Sequence, residues 1–456
     1  MAEPEVAKTS SHAKGFLKPC DQKKTISMMH NQKRFPQALL RNSLIILGLV
    51  LFTLYPSFSP QGRASLQEST VRVRLGNEKA AAEFPTMLKG KRLGLVINHT
   101  SVLFDGTPLL KAFQERGIRI SAIFSPEHGF SGIEESGVRV DDGRFQSIPV
   151  FSLYGKTRRP TPEQMRHIDV FVYDIQDVGT RFYTYITTLK YILEAASRAK
   201  KEVFVLDRPN PAGGRLVEGP RLKTLYQSFI GACPLPIRYG LTVGELALMM
   251  KGENWVPEKG MLHVITMDGW KRDYFWEDTG LPWIPTSPNI PSPETTLAYP
   301  GMGLLGGIII NHGLGTLNPF LQFGAPWMGR ESIREALEGG EKFGIVLENL
   351  VYTPLSLPGK VLHPPYENRR CKGFRIRIRQ LDKFLSVRFT LALIKALKDN
   401  YPSKLSPQTT TLNQHFGDDM LVRYLNGQIS FDNMMTVIGK EEQAFLSRRQ
   451  KYLLYD

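Results

Sequence analysis

The sequence predicts an α/β protein built on a doubly wound parallel sheet, with a second, smaller α+β domain. Apolar runs rich in Val, Ile, Leu and Phe, without regular alternation, recur at 92–97, 118–124, 168–173 and 203–206. Such runs read as strands buried on both faces. Helix-length segments with short links separate them, as in βαβ units. Each run also ends in a tight polar cluster: Asn98-His99-Thr100-Ser101, Ser125-Pro126-Glu127-His128-Gly129, Asp174-Ile175-Gln176-Asp177 and Asp207-Arg208-Pro209-Asn210. In open parallel sheets the ligand crevice lies beyond the carboxyl ends of the strands. These carboxylates, amides and histidines are therefore expected to converge in one cleft.

Taken in order, 65–85 reads as a polar linker and 92–97 as the first strand. A helix is expected at 107–116, a strand at 118–124, and an irregular stretch through Gly143. Then come a short strand at 148–151, a helix at 162–166, a strand at 168–173, a long helix at 181–198 and a strand at 203–206. Thr242 followed by Gly244-Glu245 opens another helix, and 262–267 reads as a strand. From 268 to 320 aromatic residues alternate with prolines, and Pro285 to Pro293 opposes regular structure; this is the expected hinge and cleft wall. Beyond it, 374–379 alternates with Arg375, Arg377 and Arg379 on one face, and helices are expected at 386–398 and 441–454.

A chain of 456 residues exceeds what one hydrophobic core usually serves. The expected organisation is a leader at 1–65, a first domain at 88–300 and a smaller one at 301–456. Composition is ordinary for a globular protein, 42% hydrophobic and 22% charged. The net charge of +15 invites a nucleic-acid reading. The basic residues are scattered or N-terminal, however, and no aromatic-basic motif accompanies them, so no nucleic-acid partner is expected. Lysines and arginines dominate the first 41 residues, and 44–55 is an apolar run without charge. That run is short for a bilayer-spanning helix and suits a signal sequence or short signal anchor. It predicts a periplasmic or otherwise extracytoplasmic protein that meets the membrane only through this segment. Cys20, Cys233 and Cys371 show no metal-binding spacing and read as free thiols.

Glu127 is the leading candidate for a catalytic group, since a carboxyl in a semi-enclosed cleft suits a general acid. His128 beside it serves equally as a structural, hydrogen-bonded histidine. Asp174 and Asp177 stand three apart at a strand end, and with Gln176, Arg181 and Tyr183 could bind a metal, orient a water or grip sugar hydroxyls. The competing reading makes Asp177 a helix cap paired with Arg181. Asp207, Arg208 and Asn210 repeat the pattern, and there an Asp/Arg brace competes. Gly301-Met302-Gly303-Leu304-Leu305-Gly306 matches a dinucleotide fingerprint in letters, but lacks the strand-to-helix setting. A nicotinamide cofactor is rejected, and no Gly-x-Ser-x-Gly elbow is present.

Several blocks carry a resemblance: Pro126-Glu127-His128-Gly129, Ser152-Leu153-Tyr154-Gly155-Lys156, Asp174 through Gly179 with Arg181-Phe182-Tyr183-Thr184-Tyr185, Asp207 through Pro211, Val217-Glu218-Gly219, Leu241 through Leu246, and Pro288-Asn289. Together and in this order they resemble the exo-β-N-acetylmuramidases, from about residue 88 to the C-terminus. The resemblance implies a Rossmann-like catalytic domain, a smaller C-terminal domain and an active site between them. It implies release of terminal N-acetylmuramic acid from the non-reducing end of peptidoglycan fragments, without a cofactor. Asn98, Arg238 and Asn289 join the residues above as expected substrate contacts. The chain also departs from the family. A Glu-Gly-Thr-Asn segment is replaced by Gly306-Gly307-Ile308-Ile309, Gly-Arg-Gly-Thr by Gly313-Leu314-Gly315-Thr316, and Arg-His-Gly by Arg238-Tyr239-Gly240. Besides a muramidase, the sequence is compatible with a sugar-binding protein without turnover and with a metal-assisted hydrolase built on Glu127, His128, Asp174 and Asp177.

Overall fold

The computed structural model describes residues 72–456 apart from Ser136, Glu258 and Lys259. The basic leader, the apolar run at 44–55 and Cys20 lie outside the described residues. Among the described residues no helix is long and apolar enough to cross a membrane.

A helix, α1 (Gly76–Met87), takes the place of much of the expected linker. Its N-terminus is fixed by Glu78, which accepts from the Leu75 backbone at 2.9 Å and pairs with Arg72 at 2.6 Å. Ala80, Ala81 and Phe84 are buried. Only these few apolar positions separate its charges, too sparse a stripe to announce a helix.

The parallel sheet follows the expected order. Its strands are β1 (Arg92–Ile97), β2 (Arg119–Ser125), β3 (Gly143–Phe145), β4 (Ile148–Ser152), β5 (Val170–Asp174), β6 (Glu202–Leu206) and β7 (Met261–Ile265). They are arranged β3-β4-β2-β1-β5-β6-β7, and all neighbours are parallel except β3, which runs antiparallel to β4. β3 was expected to be irregular; it is a three-residue edge strand with no buried residue, which leaves no burial pattern to read. The chain winds from β1 to β2 and β4, then crosses to β5 on the other side of β1, placing a topological switch point at the β1 and β5 carboxyl ends.

Helices cover both faces. α1 and α2 (Leu109–Glu115) bring Phe84, Leu109 and Phe113 against Leu93, Leu95 and Ile97. After the short α3 (Pro162–Met165), α4 (Tyr185–Arg198) and α5 (Val243–Gly252) cover the opposite face, where Val96, Phe171 and Tyr173 point. Alternate residues of β1 thus enter different cores, and this is why its sequence shows no alternation. Thr242 caps α5 as expected: its hydroxyl accepts from Glu245 N at 3.2 Å while Glu245 accepts from Thr242 N at 3.0 Å.

The remainder begins with α6 (Pro293–Met302) and contains β8 (Gln322–Ala325), α7 (Arg330–Ala336), β9 (Ile345–Tyr352) and β10 (Cys371–Ile378). It ends in α8 (Ser386–Asn400), α9 (Thr409–Phe416), α10 (Met420–Leu425) and α11 (Phe431–Arg449). The helix expected at 441–454 starts ten residues earlier. The three strands form an antiparallel sheet, β8-β10-β9. On β10, Phe374 and Ile376 are buried while Arg377 reaches Glu348 at 2.9 Å across the pair. One large apolar core contains residues of α4, α5, β10 and α8 alike, so both parts fold around shared ground. Cys233 and Cys371 are buried free thiols.

Gly301, the first of the dinucleotide-like glycines, has a packing role. A Cβ at Gly301 would sit 1.9 Å from the Ser386 carbonyl oxygen. Glycine there lets α6 lie directly on α8.

Candidate active site

A cavity of about 460 Å³ opens beyond the carboxyl ends of the parallel strands. The turn after β2 contributes Glu127 and His128, the segment after β4 contributes Tyr154, and the turn before α4 contributes Phe182, Tyr183 and Thr184. Its other wall comes from Ser287, Asn289 and Tyr299, and from His312, Leu314, Phe320 and His415 of the C-terminal part.

The β2 turn is built to hold the carboxylate. Gly129 N bonds back to the Pro126 carbonyl at 3.1 Å, with φ of 69° at His128 and 74° at Gly129. A left-handed non-glycine residue carries strain of order 1 kcal/mol or more. Its ring is secured in return: Nδ1 lies 2.5 Å from the Glu134 carbonyl, an acceptor only, so the ring proton sits on Nδ1. Glu127 is 5% exposed. Its Oε1 accepts from Gly137 N at 2.8 Å and its Oε2 from Thr184 Oγ1 at 2.6 Å. Thr184 immediately precedes α4 but does not cap it; its hydroxyl is committed to Glu127. Tyr154 stands beside the same carboxylate, and burial together with the Glu127 charge pushes its phenol up to about 12.

Aromatic rings line the rest. Tyr299 meets Phe182 at 5.1 Å and Phe320 at 4.7 Å, edge to face, and Tyr183 meets Tyr185 at 4.6 Å. Burial holds the Tyr183 and Tyr299 phenols well above their ordinary range. His312 and His415 point Nδ1 at the Ile310 and Thr411 carbonyls, at 3.2 and 2.9 Å. Burial lowers both, His312 to about 4, so both rings are neutral near pH 7. Asn289 donates to the Lys360 carbonyl at 2.9 Å, fixing its amide at the rim.

Of the residues expected at the site, Glu127, His128, Tyr183 and Asn289 line this cavity. The others are drawn into the scaffold. Asp174 receives Arg208 Nε at 2.6 Å and Nη2 at 3.0 Å, and Asn77 at 3.1 Å; this buried ion pair braces the ends of β5 and β6 and leaves neither residue for substrate. Asp207 accepts from Gly244 N at 2.7 Å, Thr242 Oγ1 at 2.8 Å and Tyr455 OH at 2.5 Å, anchoring the start of α5. Asn98 ties Thr100 to Tyr185, Gln176 bridges two backbone carbonyls, and Asn210 closes its own turn while bonding the Leu241 carbonyl.

Arg181 is fully buried, and its guanidinium donates to the Pro220, Leu235 and His415 carbonyls at 2.9, 2.9 and 2.6 Å. It is not an ion partner of Asp177. Arg238 pairs with Glu218 at 3.3 Å and reaches the Phe384 carbonyl at 3.1 Å. Both arginines stitch the two parts together. Asp177 does not line the cavity: Oδ2 accepts from Gly179 N at 2.7 Å and from the Tyr239 hydroxyl. Burial raises it to about 6. The four groups proposed for a metal-assisted hydrolase therefore do not converge, and among the described residues no three His, Cys, Asp or Glu side chains form a metal-binding cluster.

Tyr154, Thr184, Ser287, Tyr299 and His415 were not singled out from sequence, and His312 was named there only as a metal ligand together with His99 and His128. Tyr154 and Thr184 stood inside blocks quoted above, but a lone hydroxyl carries no spacing signal. Two departures from the family do fall here, since Gly306 and Leu314 both line the cavity.

A carboxylate held at a strand end, faced by aromatic rings and neutral hydrogen-bonding groups, forms a ligand cleft of the kind α/β enzymes place beyond their strand ends. Family comparison agrees. The model described as exo-beta-N-acetylmuramidase NamZ, N-terminal, matches residues 93–294, and its C-terminal counterpart matches 297–455. The chain belongs to the exo-β-N-acetylmuramidase NamZ family. It is 35% identical over 418 residues to the peptidoglycan beta-N-acetylmuramidase NamZ of Bacillus subtilis (strain 168), covering 90% of this chain and 98% of that protein. Crystal structures of two Bacteroides fragilis proteins of the DUF1343 family share the fold. One has a TM-score of 0.78 at 32% identity, covering 85% of this chain and all of the other; the second has 0.69 at 31%, covering 84% and 99%.

Proposed function

We propose that this protein is an exo-acting β-N-acetylmuramidase, a glycoside hydrolase that releases terminal N-acetylmuramic acid from the non-reducing end of peptidoglycan fragments, with Glu127 as its general acid. The observation that carries the reading is the seating of Glu127. It stands in the wall of a cavity sized for a terminal sugar, its two oxygens held by Gly137 N and Thr184 Oγ1. The 35% identity to a curated muramidase over nearly the whole of both chains supports the substrate class. The aromatic walls supply faces on which a pyranose ring packs, and Asn289 and Ser287 supply polar contacts.

The test is turnover of a chromogenic β-N-acetylmuraminide and of an unactivated muramic-acid-terminated disaccharide. Glu127→Gln should lower the disaccharide rate by about a hundred-fold to ten-thousand-fold. Near-normal turnover of the disaccharide by that variant would remove Glu127 from the role.

We further propose that the enzyme works outside the cytoplasmic membrane. The basic leader and the apolar run at 44–55 support this, as does the location of peptidoglycan. A reporter fused after Asp456 should be active only if it functions outside the cytoplasm; activity confined to a cytoplasm-dependent reporter would overturn the placement.

A further inference from the structure

Glycosidases of the two-carboxylate kind place a second Asp or Glu about 5–5.5 Å from the acid when it acts as nucleophile, or about 6.5–9.5 Å away when it activates water. Among the described residues lining this cavity, Glu127 is the one carboxylate. The carboxylates nearest in sequence logic are committed elsewhere: Asp174 to Arg208, and Asp177 to Gly179 N and the Tyr239 hydroxyl. Neither lines the cavity. The tyrosines that do line it, Tyr154, Tyr183 and Tyr299, are kept protonated by burial, and a neutral phenol is a poor nucleophile. His312 and His415 each have one ring nitrogen on a backbone carbonyl.

What the cavity offers instead is neutral. Tyr183, Ser287 and Asn289 can hydrogen-bond an amide, and Phe182, Phe320 and Leu314 can receive a methyl group. That is the complement of an acetamide, with its N–H, its carbonyl and its apolar end.

We propose that hydrolysis is substrate-assisted: the 2-acetamido group of the bound sugar supplies the nucleophile, and Glu127 acts first as acid and then as base. This rests on the reading above that the scissile bond belongs to a 2-acetamido sugar. In the first step the acetamido carbonyl oxygen attacks C1, the bond from C1 to the leaving-group oxygen breaks, and that oxygen takes the proton of Glu127. The sugar is left as a cyclic oxazolinium ion facing the Glu127 carboxylate. In the second step water attacks C1, Glu127 takes its proton, and the C1 bond to the acetamido oxygen breaks to regenerate the acetamide. Two displacements at C1 give net retention. Thr184 and Gly137 position Glu127 for both proton transfers.

The experiment compares 4-nitrophenyl β-N-acetylmuraminide with its N-trifluoroacetyl counterpart, using the full chain, and follows the first product by proton NMR before it mutarotates. The expected result is a β-configured product and a kcat lowered on the order of a hundred-fold by the trifluoroacetyl group, because the intramolecular nucleophile loses electron density. A competitive block by the thiazoline analogue of the cyclic intermediate is expected as well. An α-configured product would overturn the inference and point to a water-activating group such as His128. A β-product with rates that agree within about two-fold would overturn it too, in favour of an enzyme nucleophile. Either result would leave the muramidase reading intact, whereas absence of turnover on any 2-acetamido glycoside would overturn both.

Discussion

Thr184 Oγ1 donates to Glu127 Oε2 at 2.6 Å, joining the residue before α4 to the turn after β2. The two residues are 57 positions apart, and the bond exists because β2 and β5 end at the same edge of one sheet. A hydroxyl on a carboxylate is a charge-assisted bond contributing about 1.5–3 kcal/mol. Its loss frees the carboxyl to rotate away from the leaving group.

Thr184→Val is therefore expected to lower kcat by roughly ten-fold or more on a disaccharide, with KM little changed, while Thr184→Ser keeps most of the rate. Steady-state kinetics on the three proteins checks this. Equal losses in the Val and Ser variants would assign the effect to packing instead.

Asp177 predicts a pH dependence of stability. Burial raises its pKa from 3.8 to about 6 in the folded protein. Between those values the native state holds a proton that the unfolded chain has released, so stability falls as pH rises. The contribution is complete below about pH 4 and gone above about pH 6 to 7. Asp177→Asn stays neutral throughout. The wild-type melting temperature should drop relative to that of Asp177→Asn as pH rises from about 4 to about 6, and the difference should be constant above. Parallel melting curves across this range would show that Asp177 titrates normally.

Much of the sheet was legible because strands buried on both faces have a distinctive composition, and the Thr242 cap was legible because its spacing has a mechanism. The site was legible only in part. At the carboxyl ends of β5 and β6 a catalytic cluster and a brace look alike in sequence: Asp174, Arg208, Asp207 and Asn210 are the polar residues either would need. Pairing decides between them, and pairing is tertiary. Arg181 and Arg238 read as substrate contacts for the same reason, yet full burial against backbone carbonyls commits both to joining the two parts. His312 and His415 arrive from distant segments and could be placed only by the fold. α1 was missed because its few buried positions lie among charged ones, and β3 because nothing of it is buried.

Gly301 offers a test of the packing argument. A methyl there would overlap the Ser386 carbonyl, forcing α6 and α8 apart. Gly301→Ala should destabilise the protein by about 1–3 kcal/mol, measured by urea unfolding. Stability unchanged within error would mean the two helices separate freely.

Leu314 sets the chemistry of the cavity toward an acidic sugar. Muramic acid differs from N-acetylglucosamine by a lactyl carboxylate, whose usual partner is a bidentate guanidinium. Among the described residues lining the cavity none is Lys or Arg, and His312 and His415 are held neutral by burial. Gly306 leaves further room, since a Cβ there would meet only His312 Cε1 at 3.8 Å. The wall therefore offers the lactyl group dipoles rather than a charge, and discrimination between the two sugars should be weak. Leu314→Arg introduces the missing cation at the cavity surface. A charged hydrogen bond contributes about 1.5–3 kcal/mol, so the variant should favour muramic acid over N-acetylglucosamine by roughly ten-fold or more relative to the wild type. Calorimetric titration of both proteins with both sugars measures the ratio directly. A wild-type preference for muramic acid that Leu314→Arg does not increase would show that the carboxylate is recognised elsewhere in the cavity.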